Sequence, residues 1–102
     1  MLEMRPNCEN CDCDLPSNST EAMICSYECT FCRDCVEDVL GNVCPNCGGG
    51  FSPRPSRVKT EHGQGVSIQH QPASRKRVLK PVDKTSHVVF AQEIKNIPPE
   101  HR

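Results

Sequence analysis

Apolar residues occur in short groups along this chain, and each group is too brief for a long secondary-structure element. Residues 22–25 (AMIC) predict a short strand, and residues 29–31 (CTF) predict the strand that pairs with it in a hairpin. In residues 33–40 the apolar positions recur at i, i+3 and i+4, which predicts a short helix with one buried face. The first half of the chain is therefore expected to contain a hairpin followed by a helix.

The pattern changes beyond residue 50. Residues 53–82 contain four prolines, two glycines and no sustained apolar period, which indicates a flexible basic linker. In residues 83–102 a helix is predicted over 84–96, with Ser86 as its N-cap and an apolar stripe that includes Val89. A helix this short is marginal in isolation, so it either docks on the first half or on another chain, or frays in solution. The chain thus divides into a domain at 1–52, a linker at 53–82 and a docking helix and tail at 83–102.

All nine cysteines of the 102-residue chain lie within its first 47 residues. The chain has no Trp, one Tyr and three Phe, so a segment of about 50 residues cannot offset its chain entropy by apolar burial alone. The first residues show no signal-peptide pattern, and no apolar run is long enough to span a membrane. A cytoplasmic location is therefore expected, and reduced thiols there favour bound metal over disulfides.

Eight of the cysteines form four close pairs, each short enough for one turn to bring two thiolates to one ion. Structural zinc takes four tetrahedral ligands, so four pairs can hold two zinc ions, with Cys13 left over. The two middle pairs lie too close together for sequential fingers, which predicts an interleaved arrangement. Site 1 is predicted to contain Cys8, Cys11, Cys32 and Cys35, and site 2 is predicted to contain Cys25, Cys29, Cys44 and Cys47.

The residues around these cysteines resemble the RING finger family. Residues 28–35 (ECTFCRDC) are similar to its G-H-x-F-C-x-x-C core, with Cys29 in place of the usual His, and residues 44–47 (CPNC) are similar to its closing C-P-x-C pair. The resemblance implies a small metal-stabilised α+β fold, a RING-like cross-brace with two zinc sites, one short hairpin and one short helix. A mostly disordered tail with a C-terminal helix would follow. The chain also resembles a family of short bacterial cysteine-rich proteins catalogued as a domain of unknown function. This second resemblance extends into the tail, as far as the ending at 97–102 (IPPEHR).

Many RING fingers are ubiquitin ligases, and this chain departs from the ligase pattern. Asn10 stands where ligase-type members present an apolar residue, Gly48 follows the last cysteine where a basic residue is common, and the groove Trp is missing. Only Pro45 is kept, so ubiquitin-ligase activity is not expected. No His lies in the first half and all predicted ligands are thiolates, so we expect no catalytic residue and no enzyme activity.

Two other roles remain open for the cysteines. Cys29, Cys32 and Cys35 have the spacing of an iron–sulfur ligand run, although eight residues then separate Cys35 from Cys44 where a ferredoxin run has three. Cys13 could exchange into site 1 or form a disulfide on oxidation, as a redox sensor would. Its acidic neighbours Asp12 and Asp14 raise its pKa, which favours a spare thiol instead.

Charge also divides the chain, because residues 1–50 carry a net charge of −7 and residues 51–102 carry +6. The basic linker makes nucleic-acid association an alternative function, although no aromatic residue interleaves its densest run at 75–77. The residues concerned are Arg54, Arg57, Lys59, Arg75, Lys76, Arg77 and Lys80. The predicted function is a structural zinc-binding module that acts in protein–protein interaction and has no membrane partner.

Overall fold

The sheet has three short strands, and the computed structural model describes all residues 1–102. Strand β1 (Ala22–Ile24) pairs antiparallel with β2 (Thr30–Cys32), with Met23 opposite Phe31. Strand β3 (Ser52–Pro53) joins the other edge of β1, so the sheet order is β2-β1-β3. The predicted hairpin is confirmed. The third strand was not predicted. It has only two residues, one of them a proline, so only its pairing with the edge of β1 identifies it as a strand.

Helix α1 follows β2 directly and covers the predicted range. It begins with one α-helical turn over Arg33–Cys35 and continues as a π-helical turn over Val36–Leu40. It ends at Gly41, whose φ of 61° lies in the left-handed region that glycine adopts without strain. Val36 and Leu40 are buried, while Glu37 and Asp38 face solvent, so the apolar spacing predicted the buried face correctly.

The core between the sheet and α1 is small and rich in sulfur. Six of its twelve buried residues are cysteines. The Phe31 ring packs edge-on against Phe51, with ring centroids 5.5 Å apart. Because thiols make up half of this core, apolar burial by itself leaves the domain close to the limit of stability.

The structure does not support the predicted mostly disordered tail. Residues 54–82, which we call the strap, run back across the first half and bond to its backbone. Ser74 N donates to Met4 O at 3.0 Å, and Lys80 N donates to Glu9 O at 2.8 Å. The absence of an apolar period predicted a flexible linker that does not pack. It did not reveal that an extended segment can satisfy its polar groups on a neighbouring surface.

Opposite charges also join the strap to the first half. The Arg77 guanidinium bonds Asp12 Oδ1 and Asp14 Oδ1, each at 2.9 Å. The Asn7 side chain is fully buried beneath the strap and donates to Val78 O at 2.9 Å. The split between an acidic first half and a basic second half is thus partly neutralised within the chain.

Helix α2 (Lys84–Ile94) packs against the end of α1 in the same chain. Its N-cap is Asp83 rather than the predicted Ser86, because the Asp83 carboxylate accepts from Thr85 N and Ser86 N at 3.0 and 3.3 Å. None of the helices combines the length and apolar character that a bilayer span needs.

Only part of the apolar stripe predicted for α2 packs, since Phe90 and Ile94 lie over Gly48. His87 and Ala91 are buried, whereas Val89 is 69% exposed. His87 Nε2 donates to Leu40 O at 2.9 Å, at the end of α1 where helix carbonyls lack an internal partner. A histidine is therefore better suited to this contact than an aliphatic side chain would be.

Arg54 links the sheet edge to the start of the chain from a buried position. Its guanidinium donates to Arg5 O at 2.7 Å, to Leu15 O at 3.0 Å and to Pro16 O at 2.9 Å. All three partners are carbonyl groups, and burial lowers the pKa of Arg54.

Replacing Arg54 with alanine is expected to lower the free energy of unfolding by about 3 kcal/mol, because three carbonyls lose a charged donor. Denaturant unfolding of the metal-loaded protein measures the change. Arg75→Ala, at an exposed arginine of the same strap, is the matched control and should stay within about 0.5 kcal/mol of the wild type. Equal effects of the two substitutions would contradict the anchoring role of Arg54.

Candidate metal centres

Four thiols converge at site 1. The Sγ atoms of Cys8, Cys11, Cys13 and Cys32 all lie within 4.8 Å of one another. Four sulfurs bound at 2.3 Å to a tetrahedral ion are about 3.8 Å apart, and the Cys11 and Cys32 Sγ atoms are 3.7 Å apart. The spacing therefore suits one four-coordinate ion.

Cys35 is a fifth thiol beside the same group. Its backbone N donates to Cys32 Sγ at 3.5 Å, and its own sulfur accepts from Asn10 Nδ2 at 3.3 Å. The predicted ligand set contained Cys35 and excluded Cys13, whereas the structure brings both residues to site 1. The C-x-C spacing of Cys11 and Cys13 was the sequence signal that Cys13 joins this site, since both residues belong to one tight turn.

Site 2 gathers the other four predicted cysteines. The Sγ atoms of Cys25, Cys44 and Cys47 lie within 4.8 Å of one another. Cys29 lies beside this group, because its backbone O accepts from Cys25 N at 3.2 Å and its thiol accepts from Asn46 Nδ2 at 3.4 Å. Cys25, Cys29 and Cys44 are buried, and Cys47 is exposed at the edge.

Strand β2 explains why the two middle cysteine pairs serve different sites. Cys29 directly precedes β2 and Cys32 is its last residue. An extended strand advances about 3.3 Å per residue, so these two cysteines are about 10 Å apart along the chain direction. Cys29 therefore joins Cys25 across the hairpin turn, while Cys32 reaches Cys8 and Cys11 at the other end.

Hydrogen bonds to sulfur recur at both sites. Tyr27 N donates to Cys25 Sγ and Gly49 N donates to Cys47 Sγ, each at 3.4 Å. The motif C-x-N-C occurs at 8–11 and again at 44–47, and each of its asparagines donates to a thiol of a different pair. Sequence reasoning missed this role of Asn10 and Asn46, although the repeated motif was its signal.

Two comparisons with known proteins find relatives of the chain. The family described as "Protein of unknown function (DUF1272)" matches residues 1–57, a span that contains every cysteine and all three strands. The chain belongs to the DUF1272 family. An uncharacterised protein of Rhizobium meliloti (strain 1021) is 53% identical over 81 residues, which is 79% of this chain and 89% of that relative. The similarity therefore extends beyond the family match, and no solved structure matches the chain.

Burial and crowding shift the thiol pKa values in this DUF1272 chain. Burial raises the pKa of Cys29, Cys32, Cys35 and Cys44. Burial also acts to raise the pKa of Cys11, but hydrogen bonds from Cys13, Cys8 and Cys32 outweigh it and lower the value to about 7. A bound cation removes the obstacle to ionising such crowded thiols, because coordination deprotonates them outright.

The donor set determines which metals the two sites fit. All donors at both sites are thiols, and every His of the chain lies beyond residue 60. Thiolates suit zinc, Cu(I) and iron–sulfur clusters, and four of them in a tetrahedron form a common structural zinc site. Both cysteine groups can therefore hold a metal ion and tie distant parts of the chain together.

Proposed function

We propose that this chain is a structural zinc module that holds two zinc ions and binds another protein. The observation that carries the proposal is the convergence of the cysteines at two interleaved sites. Each site joins segments far apart in sequence, such as Cys8 with Cys32 and Cys25 with Cys44. Such links supply the cohesion that a core made half of cysteine lacks.

Closed coordination supports a structural role for the metal. Catalytic zinc sites keep one position open for water and commonly use His or carboxylate ligands. Site 1 offers four thiols within 4.8 Å of one another, and site 2 offers three in that range with Cys29 beside them. The proposal therefore assigns no catalytic residue to the chain.

The outer surface of α2 supports the interaction role. Val88 and Val89 are 64% and 69% exposed. The bond from His87 to Leu40 O fixes this helix on the metal-binding half, so a partner would meet a preformed surface. The partner that suits it is a folded protein with an apolar groove that accepts one side of a helix.

The nucleic-acid alternative is weakened by the contacts of the basic residues. Arg54 and Arg57 donate to backbone carbonyls, and Arg77 is paired with Asp12 and Asp14. Four of the seven predicted phosphate-binding side chains are then left at the surface: Lys59, Arg75, Lys76 and Lys80.

The iron–sulfur alternative is weakened by the division of its ligand run. Cys29 lies with Cys25 and Cys44 at site 2, whereas Cys32 lies with Cys8 and Cys11 at site 1. A cluster held by Cys29, Cys32 and Cys35 would need all three side chains around one centre.

Native mass spectrometry combined with elemental analysis tests the metal part of the proposal. Protein purified under reducing conditions is expected to carry two zinc ions per chain. Replacement by cobalt should give the colour of tetrahedral cobalt thiolate. One zinc, no zinc or bound iron would contradict the proposal.

Capture experiments with a substituted helix surface test the interaction part. Val89→Glu is expected to reduce recovery of the partner on the order of tenfold or more, because a charge would enter an apolar contact. Val58→Glu, at an exposed valine of the strap, is the matched control. Equal recovery with both variants would contradict a partner site on α2.

A further inference from the structure

Site 1 contains one thiol more than a tetrahedral ion accepts. The Sγ atoms of Cys8, Cys11, Cys13 and Cys32 lie within 4.8 Å of one another, and Cys35 lies beside them, its backbone N donating to Cys32 Sγ at 3.5 Å. Zinc in such a site takes four ligands, so one of the five is surplus at any moment. Site 2 has three thiols in that range with Cys29 beside them, and no surplus.

The two candidates for the surplus position differ in their surroundings. Cys13 is exposed and belongs to the same turn as Cys11, closed by a bond from Cys8 N to Cys13 O at 2.9 Å. Cys35 is buried in α1, and Asn10 Nδ2 donates to its sulfur at 3.3 Å. Asn10 can therefore hold the Cys35 sulfur while the metal is bound elsewhere.

Site 1 also opens to solvent. A cleft of about 440 Å³ is lined by Cys11, Cys13, Cys32 and Cys35. Asp14, Glu21 and Asp34 line the same cleft, and the first two pair with Arg77 and Arg33. The cleft and the Asp34 carboxylate leave a path along which a divalent ion can approach these four sulfurs directly.

We propose that Cys13 and Cys35 alternate as the fourth ligand of site 1, which makes site 1 an exchange site for a zinc-like cation. The inference rests on the proposed zinc-binding function and adds a role to one of its two sites. Site 2 holds its ion without exchange.

The exchange step conserves ligands, protons and electrons. The bond from Cys13 Sγ to the metal forms as the bond from Cys35 Sγ breaks, so the ion keeps four sulfurs throughout. The Cys13 thiol gives its proton to water, and the released Cys35 thiolate takes one from water. The oxidation state of every atom is unchanged, so the step needs no oxidant.

Zinc counting on substituted proteins tests the alternation. Native mass spectrometry is expected to find two zinc ions in Cys13→Ala and in Cys35→Ala, and one in the double variant. Cys47→Ala, at the exposed thiol of site 2, is the matched control and should retain one at most. One zinc in either single variant would overturn the alternation, whereas fewer than two in the wild type would overturn the zinc proposal itself.

The rate of zinc loss supplies a second test, which needs a substitution only at the exposed Cys13. With an excess of a chromogenic chelator, the wild type should lose zinc in a fast phase from site 1 and a slow phase from site 2. Cys13→Ala should slow the fast phase on the order of tenfold by removing the entering ligand, and leave the slow phase unchanged. An unchanged fast phase would overturn the exchange role even if Cys35→Ala fails to fold.

Discussion

Removing the metal with a strong chelator is expected to unfold the whole chain, including its second half. Structural zinc contributes about 10–16 kcal/mol per ion in small domains, whereas a small domain has a net stability of about 5–15 kcal/mol. Six of the twelve core residues here are cysteines, so little apolar packing remains once the ions leave. The free energy lost with the metal therefore exceeds the net stability that the rest of the fold supplies.

The second half should unfold as well because it packs on the first. Helix α2 depends on the contact of His87 with Leu40 O, and the strap bonds to residues 4–14. Circular dichroism should lose the helical signal of α2 together with the thermal transition, and added zinc should restore both. A melting curve that the chelator leaves unchanged would contradict a structural role for the metal.

Replacing Cys44 with alanine is expected to remove one ion and to destabilise the protein on the order of 10 kcal/mol. Cys44 is completely buried, and its Sγ lies within 4.8 Å of those of Cys25 and Cys47. The substitution leaves site 2 with three thiols and a cavity in the core. Metal counting and circular dichroism should show one zinc ion at most and a chain that is largely unfolded at 25 °C.

Cys13→Ala is the matched control for Cys44→Ala, since it also replaces a cysteine with alanine in the first half of the chain. Cys13 is exposed and is one of five thiols at site 1, so four remain after its loss. The variant should keep two zinc ions and melt close to the wild type. Stability losses of similar size in the two variants would contradict the distinction between the sites.

Asn10 connects the metal-binding half to the strap through one side chain. Its Nδ2 donates to Cys35 Sγ, and its Oδ1 accepts from Val82 N at 2.8 Å. Removing a group that hydrogen-bonds to a metal ligand typically changes metal affinity on the order of 10- to 100-fold. Docking of the strap and binding of metal at site 1 thus share a residue.

The sequence by itself determined the two cysteine groups, the hairpin and the range of α1. These features rest on local geometry, because two cysteines a few residues apart share one turn and apolar residues at i, i+3 and i+4 share one helix face. The metal identity and the division of four ligands to each ion stay predictions of the spacing.

Only the tertiary structure decided the path of the strap, the packed face of α2 and the place of Cys13. Each depends on contacts between residues far apart in sequence, such as Arg54 with Leu15 O or His87 with Leu40 O. Composition predicted a flexible linker over residues 53–82. It did not show the exposed carbonyls and carboxylates of the first half, which supply the partners that order the strap.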